Sequence, residues 1–197
     1  FGRTRLSAAD AGVAALGYVL DYRVLLGTLL NQVKEKGIPV EPETNESLLV
    51  IHAEGTAGEA REKSYDQEAI VALVSARPAA AGVAWERFTP QGPLALLPLR
   101  GRYCVLWGMR PERAWGLCEA PDAEFLAELS RSFGRRAGEF VAVEQRSHAP
   151  LALRVRPSRV GAREAYVGNA AQMLHPVAGQ GLNLGLRDAW DLARVLH

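Results

Sequence analysis

The stretch that most restricts what this chain can become lies near its end: YVGNAAQMLHPVAGQGLNLGLRDAWDLARVL, residues 166–196. It sets four glycines (Gly168, Gly179, Gly181, Gly185) around a loop and then turns into an amphipathic run. EAYVG reads as a strand. Residues 182–196 read as a helix with Leu182, Leu186, Ala189, Trp190, Ala193 and Leu196 on one face. A helix start leaves backbone N–H groups unpaired, and the helix dipole there favours negative charge. Gly179 and Gly181 carry no Cβ, so a flat ligand can lie against the backbone. On spacing alone the unit is either an ordinary helix entry or a ligand cradle. His175, standing before a proline, reads as a packing or hydrogen-bonding residue.

The rest of the chain shows what this unit closes onto. LGYVL (16–20) reads as a short strand, followed by a helix with Leu25, Leu26, Leu29, Leu30 and Val33 in register and Gly37 as its stop. SLLVIHAEG reads as a buried strand of the parallel type. EAIVALVSA, VAWERFT, GPLALLPL and YCVLWGM are short apolar or alternating runs that predict an antiparallel meander. APDAEFLAELSRSFG predicts a helix with Asp122 as N-cap, Phe125, Leu126, Leu129 and Phe133 buried, and Gly134 as stop. EFVAVEQ and LALRVR predict two more strands. The order is a βα piece, a β-rich middle and a closing strand–loop–helix, so the expected fold class is α/β.

Composition enters mainly by exclusion. The net charge is +1, which leaves no electrostatic footprint for nucleic acid or an anionic membrane. The two cysteines, Cys104 and Cys118, form neither a disulfide framework nor a metal site, and Cys104 reads as a small buried hydrophobe. No apolar run approaches the ~18 residues that a spanning helix needs. Low cysteine use and no signal peptide point to the cytoplasm. FGRTRLSAAD opens without a methionine, so the chain reads as an internal fragment.

The stretch GNAAQMLHPVAGQGLNLGLRD closely resembles the second flavin motif of the FAD-dependent aromatic-ring hydroxylases, and its HPxAGQGxNLGxRD form resembles the ubiquinone-biosynthesis branch. WERFTPQGPLALLPL and FLAELSRSFGRRAGEF with HAPLAL resemble further segments of the branch that acts on polyprenylated methoxyphenols. The resemblance is close over 65–196 and loose over 1–60. It implies a partial FAD-binding, Rossmann-like domain plus a mostly antiparallel β-sheet substrate domain. The expected division is 1–64 in the FAD domain, with a shortened connection near 39–47, then 65–160 in the substrate domain, and 161–197 returning to the FAD domain.

The resemblance also implies roles. Gly168 and Asn169 would hold flavin ribityl or ribose hydroxyls, and Pro176 would lie near the isoalloxazine ring. Gly179 and Gly181 would keep the loop open. Leu182 and Asn183 would offer N–H groups to the flavin N1–C2=O2 edge, where reduced flavin carries negative charge. Arg23 resembles an arginine near the flavin. Phe88, Pro93 and Trp107 would line a wall for the substrate, with Trp85 and Leu97 as further apolar candidates. The implied cofactor is FAD, with NADPH or NADH as co-substrate. The implied reaction is monooxygenation of the ring, with oxygen activated at the flavin. The implied partners are a polyprenylated phenol and a ubiquinone-biosynthesis complex or lipid-delivery protein, with peripheral contact at the inner membrane. The chain departs from the family in two places. It holds no GxGxxG for the ADP half of FAD, and HAEGTAGEAR (Glu54, Gly55, Thr56, with Arg61) is a degenerate form of the family's middle motif. Two alternatives therefore stand: a non-catalytic module that binds an apolar phenol or a protein partner, and a sibling hydroxylase acting on another ring carbon.

Overall fold

The computed structural model describes residues 2–40, 47–55, 59–175 and 179–197. Its centre is a six-stranded sheet in the order β3-β4-β5-β2-β6-β8. The strands are β2 (Arg61–Arg77), β3 (Trp85–Phe88), β4 (Pro93–Leu99), β5 (Arg102–Met109), β6 (Glu139–Val155) and β8 (Gln172–Met173). Every neighbouring pair in this sheet is antiparallel. A second sheet has two strands only, β1 (Val50–His52) and β7 (Glu164–Tyr166), which run parallel. The helices are α1 (Tyr22–Glu35), α2 (Pro111–Glu119), α3 (Asp122–Phe133) and α4 (Gly181–Leu196).

Strand alternation decides where the core lies. Ile70, Ala72 and Val74 on β2, Leu94 and Leu96 on β4, and Tyr103, Val105 and Trp107 on β5 all point to one face, and α2 and α3 cover it. Phe125, Leu129 and Phe133 of α3 enter this layer. Aromatic rings meet there edge to face: Trp107 on Phe125 at 6.5 Å, Trp85 on Phe133 at 6.3 Å and Phe133 on Phe140 at 6.1 Å. The opposite face of the sheet carries Ala69, Glu86, Pro93, Ala95 and Leu106 and stays half open.

Two long strands are bent by irregularities rather than broken. The β2–β6 register shifts between Ser64 and Glu68, between Val71 and Leu73, and between Ser75 and Ala76. Asp66 and Gln145 take positive φ (51° and 54°) at the first two of these places. EFVAVEQ and LALRVR are therefore one strand, β6, and not two. Pro150 sits inside it without cost because β8 pairs only with Arg154 and Val155, which leaves that edge open.

Other sequence expectations are corrected. Residues 16–20 do not form a strand; among the described residues none pairs with them. SLLVIHAEG contributes only Val50–His52, and that strand is half exposed, not buried. The N-cap of α3 is Pro121, with Asp122 inside the first turn. RPERAWGLCEA, read as loop, forms α2, opened by Pro111 at the helix start and anchored by buried Ala114 and Leu117. Residue 64 lies inside β2, and the returning segment 161–197 supplies β8 to the large sheet. The apolar stripe predicted for the last helix exists, yet Leu182 is 56% exposed and Trp190 68%. No residue of α1 or α4 is buried.

Arg146 joins the α2–α3 corner to β6. Its guanidinium donates to the carbonyls of Leu117 (3.3 Å) and Ala120 (2.5 Å) and to Asp122 Oδ1 (2.9 Å), and it lies 5.4 Å from the Phe125 ring. Arg146→Ala leaves two carbonyls without their donor, and an expected loss of roughly 1–3 kcal/mol follows. Urea unfolding should show a lower midpoint at an unchanged slope.

Candidate flavin and substrate site

The closing unit is built on an approach between two glycines. Gly168 ends the β7 segment at φ +59 and opens a 3-10 turn, Gly168–Ala170. A methyl group added at Gly185, one turn into α4, would stand 3.3 Å from the Gly168 Cα. The turn and the helix thus touch backbone to backbone. The Gly168 N–H donates to Asp188 Oδ2 at 3.1 Å, one further turn along α4. Asp188 lies 3.9 Å from Arg159. Asp188 and Arg159 hold the loop to the helix, and neither was singled out from the sequence. The RD pair after the last glycine was the available signal.

The start of α4 is open. No side chain caps it: its N-cap residue is Gln180, whose side chain meets only the Asn183 amide at 3.4 Å. The first listed turn bond at this end runs from the Leu184 N–H to the Gln180 carbonyl at 2.9 Å. The N–H groups of Gly181, Leu182 and Asn183 precede it and have no i−4 acceptor within the helix. By contrast, Asp21 caps α1 by accepting from the Arg23 N–H at 2.9 Å. Beside the open start, the Cβ directions of Gly179 (φ +59) and Gly181 meet nothing within 4 Å. Donors without helical acceptors beside backbone that admits a flat ring suit the electron-rich edge of a flavin. These residues fit the ring half of FAD. Asn169 is exposed at the turn, and Pro176 lies outside the described residues.

The loop leads directly into the large sheet. His175 lines a cleft of ≈ 330 Å³ together with Ala69, Glu86, Pro93, Ala95 and Trp107. Its ring stands edge-on to Tyr65, with centroids 5.0 Å apart. Tyr65 reaches it from the irregular segment of β2 between Ser64 and Glu68. Burial lowers the His175 pKa below the ordinary value. Pro93 faces this cleft. Trp107 borders it while its ring packs on Phe125 in the helix-covered core. Phe88 is 75% exposed at the outer strand β3 and does not line the cleft. Arg23 stands in the first turn of α1, and among the described residues no hydrogen bond or ion pair joins its side chain to the loop. The start of α1 faces instead the turn after β4, across a second cleft lined by Asp21, Val24, Pro98 and Arg100.

The parallel pair β1–β7 carries a third cluster. The rings of His52 and Tyr166 stack at 4.5 Å, and the Arg156 guanidinium lies 3.5 Å over Tyr166. His52 Nδ1 is 2.9 Å from Glu54 Oε1. A hydrogen bond from its own backbone N–H, and then one with His52, hold the Glu54 carboxyl below its usual range. The Tyr166 hydroxyl donates to Glu164 at 2.7 Å, which raises its pKa. Thr56 of the degenerate middle motif lies outside the described residues, and Arg61 opens β2.

Comparison with known proteins agrees with this geometry. The chain is 39% identical over 163 residues to ubiquinone hydroxylase UbiL of Rhodospirillum rubrum, covering 78% of this chain and 38% of that protein. It is 34% identical over 157 residues to 3-demethoxyubiquinol 3-hydroxylase of Escherichia coli, covering 75% and 40%. A match to the Synechocystis protein slr1300 is 31% identical and covers 99% of this chain and 55% of that one, so the chain spans about half the length of its curated relatives or less. Among solved structures, Pseudomonas aeruginosa PqsL in complex with 2-aminobenzoylacetate superposes with a TM-score of 0.70 at 18% identity, covering 87% of this chain and 58% of that one. That likeness shows the fold. A family model described as "FAD binding domain" matches residues 38–197. The chain belongs to the FAD-binding-domain family.

Proposed function

We propose that this chain is the flavin-ring cradle and substrate sheet of an FAD-dependent monooxygenase that hydroxylates the aromatic ring of a polyprenylated methoxyphenol in ubiquinone biosynthesis. The observation that carries the reading is one junction: the loop that opens the uncapped α4 also puts His175 into the wall of an apolar cleft on the large sheet. A ring bound at the helix start and a ring bound in that cleft would share a border. The relatives named as ubiquinone hydroxylases support the substrate class.

FAD, when bound, supplies oxygen activation and takes its electrons from NADH or NADPH. The chain's own residues do the holding. The N–H groups at Leu182 and Asn183 face the ring edge where reduced flavin gathers charge. Gly168 and Asn169 hold the ribityl or ribose hydroxyls, and Gly179 and Gly181 let the ring lie close. Arg23, Phe88 and Pro176 belong to the same proposal on resemblance alone. Pro93, Ala95 and Leu106 form the greasy wall, and Trp107 stiffens it from behind. The division follows the same logic, with 1–64 and 161–197 serving the cofactor and 65–160 the substrate. Among the described residues no helix is long and apolar enough to cross a membrane. A polyprenyl tail therefore calls for a lipid-delivery partner or a biosynthetic complex, with the enzyme in the cytoplasm and peripheral at the inner membrane.

The test uses the full-length protein. It should purify yellow or take up added FAD, and it should consume NADH or NADPH faster when a prenylated phenol is present. A full-length protein that refuses FAD ends the proposal. Asn183→Pro probes the helix start alone. It sits in the first turn, where proline removes an N–H that no helical bond uses. FAD affinity should fall roughly 5- to 30-fold, about the worth of one charge-assisted hydrogen bond. Unchanged affinity would remove that backbone from the cradle.

A further inference from the structure

The cleft is apolar apart from two ionisable side chains, His175 from the flavin loop and Glu86 from β3. Phenol hydroxylation needs electron density on the ring, and a phenolate supplies more of it than a phenol. A group that accepts the hydroxyl proton next to the flavin would serve that need. Resting on the reading above, we infer that His175 is the catalytic base that takes the phenolic proton: the O–H bond breaks, an imidazole N–H forms, and the electron pair stays on oxygen and enriches the ring.

Three observations place it there. His175 is the only cleft-lining residue contributed by the flavin loop, so it stands on the side where the reacting carbon must face the cofactor. Its ring is held edge-on by Tyr65 at 5.0 Å, which fixes its orientation. Burial keeps it neutral, and a neutral imidazole has a nitrogen free of proton to act as acceptor. The groups that face it are few. Tyr65 touches it from β2, with Lys63 5.5 Å beyond that ring, and Glu86 looks across the cleft from β3. A carboxylate at Glu86 would favour the imidazolium once formed.

The full-length, FAD-loaded protein is titrated with 2-hexyl-4-nitrophenol, whose phenolate is coloured, across pH 5 to 9. Wild type, His175→Gln and Glu86→Gln are compared at equal flavin occupancy. Glutamine keeps a hydrogen bond at the position but cannot take the proton. In the wild type the bound phenol should ionise at least about one pH unit lower than in His175→Gln, a tenfold difference in phenolate fraction at a given pH. The midpoint belongs to the phenol–imidazole pair. The acid limb of kcat/KM should lie below the ordinary histidine value of about 6.5 and vanish in His175→Gln. Glu86→Gln should keep most of the shift. Equal midpoints in wild type and His175→Gln overturn the inference while leaving the flavin reading intact. A shift lost in Glu86→Gln alone assigns the base to Glu86 and overturns it too. A yellow protein that does not bind the phenol removes both the cleft assignment and His175. A protein that takes up no FAD fails at the earlier step.

Discussion

Gly185→Val strips the full-length protein of its flavin while leaving the large sheet folded. The added side chain begins 3.3 Å from the Gly168 Cα, and its two γ-methyls have no direction that avoids the turn. Both sides of the contact are backbone, so neither can rotate away. The helix must then lift from the Gly168–Ala170 turn, which also stretches the Gly168 N–H bond to Asp188. Overpacking of this kind costs roughly 1–3 kcal/mol. Here it falls on the loop that the FAD ring would use, so FAD affinity should drop about 10- to 100-fold. Gly185→Ala should be milder, because a 3.3 Å contact needs only a few tenths of an ångström of relief. Quenching of flavin fluorescence on titration gives the affinities, and far-UV circular dichroism checks that the sheet persists. Equal affinities for wild type, alanine and valine forms would show that the glycine contact does not position the cradle.

That contact also shows what was legible in the sequence. Gly168 and Gly185 lie 17 positions apart within one local unit, and the strand, turn and helix all form close to where the pattern put them. Helix ends written by glycine were equally clear, as at Gly134, which takes φ +83 after α3. What failed needed neighbours that sequence does not display. LGYVL has strand composition but no described strand to pair with. The run around Leu48 reads as buried, yet β1 has a single partner and remains half exposed. α2 was missed because Gly116 and its short length hide a two-residue anchor, Ala114 and Leu117. His175 was read as a packing residue because nothing nearby in sequence reveals Tyr65 or the Glu86 strand. Phe88 and Trp107 were both proposed as wall. Strand parity and sheet edge decide otherwise, one ring standing out at the edge and the other turning into the core.

Gly92→Ala is expected to damage stability and the cleft together. In the turn TPQG, the Thr89 N–H donates to the Gly92 carbonyl at 2.9 Å, and the Gly92 N–H returns to the Thr89 carbonyl at 3.1 Å. Thr89 Oγ1 adds a third bond to the Gly92 carbonyl at 2.8 Å. The turn is thus fixed, and Gly92 holds φ +153 within it. A methyl group there would stand 2.4 Å from the Gly108 carbonyl oxygen and 2.9 Å from its carbon, both backbone atoms of β5. Relief requires moving β4 away from β5, and the first residues to move are Pro93 and Gly108, which line the cleft. The strained φ and the forced separation together should cost about 2–4 kcal/mol. The cleft should widen at the same edge, so KM for a phenol should rise more than kcat falls. A lower urea midpoint with unchanged KM would mean that the β3–β4 turn serves the sheet alone. Unchanged stability would refute the close approach of Gly92 to β5 itself.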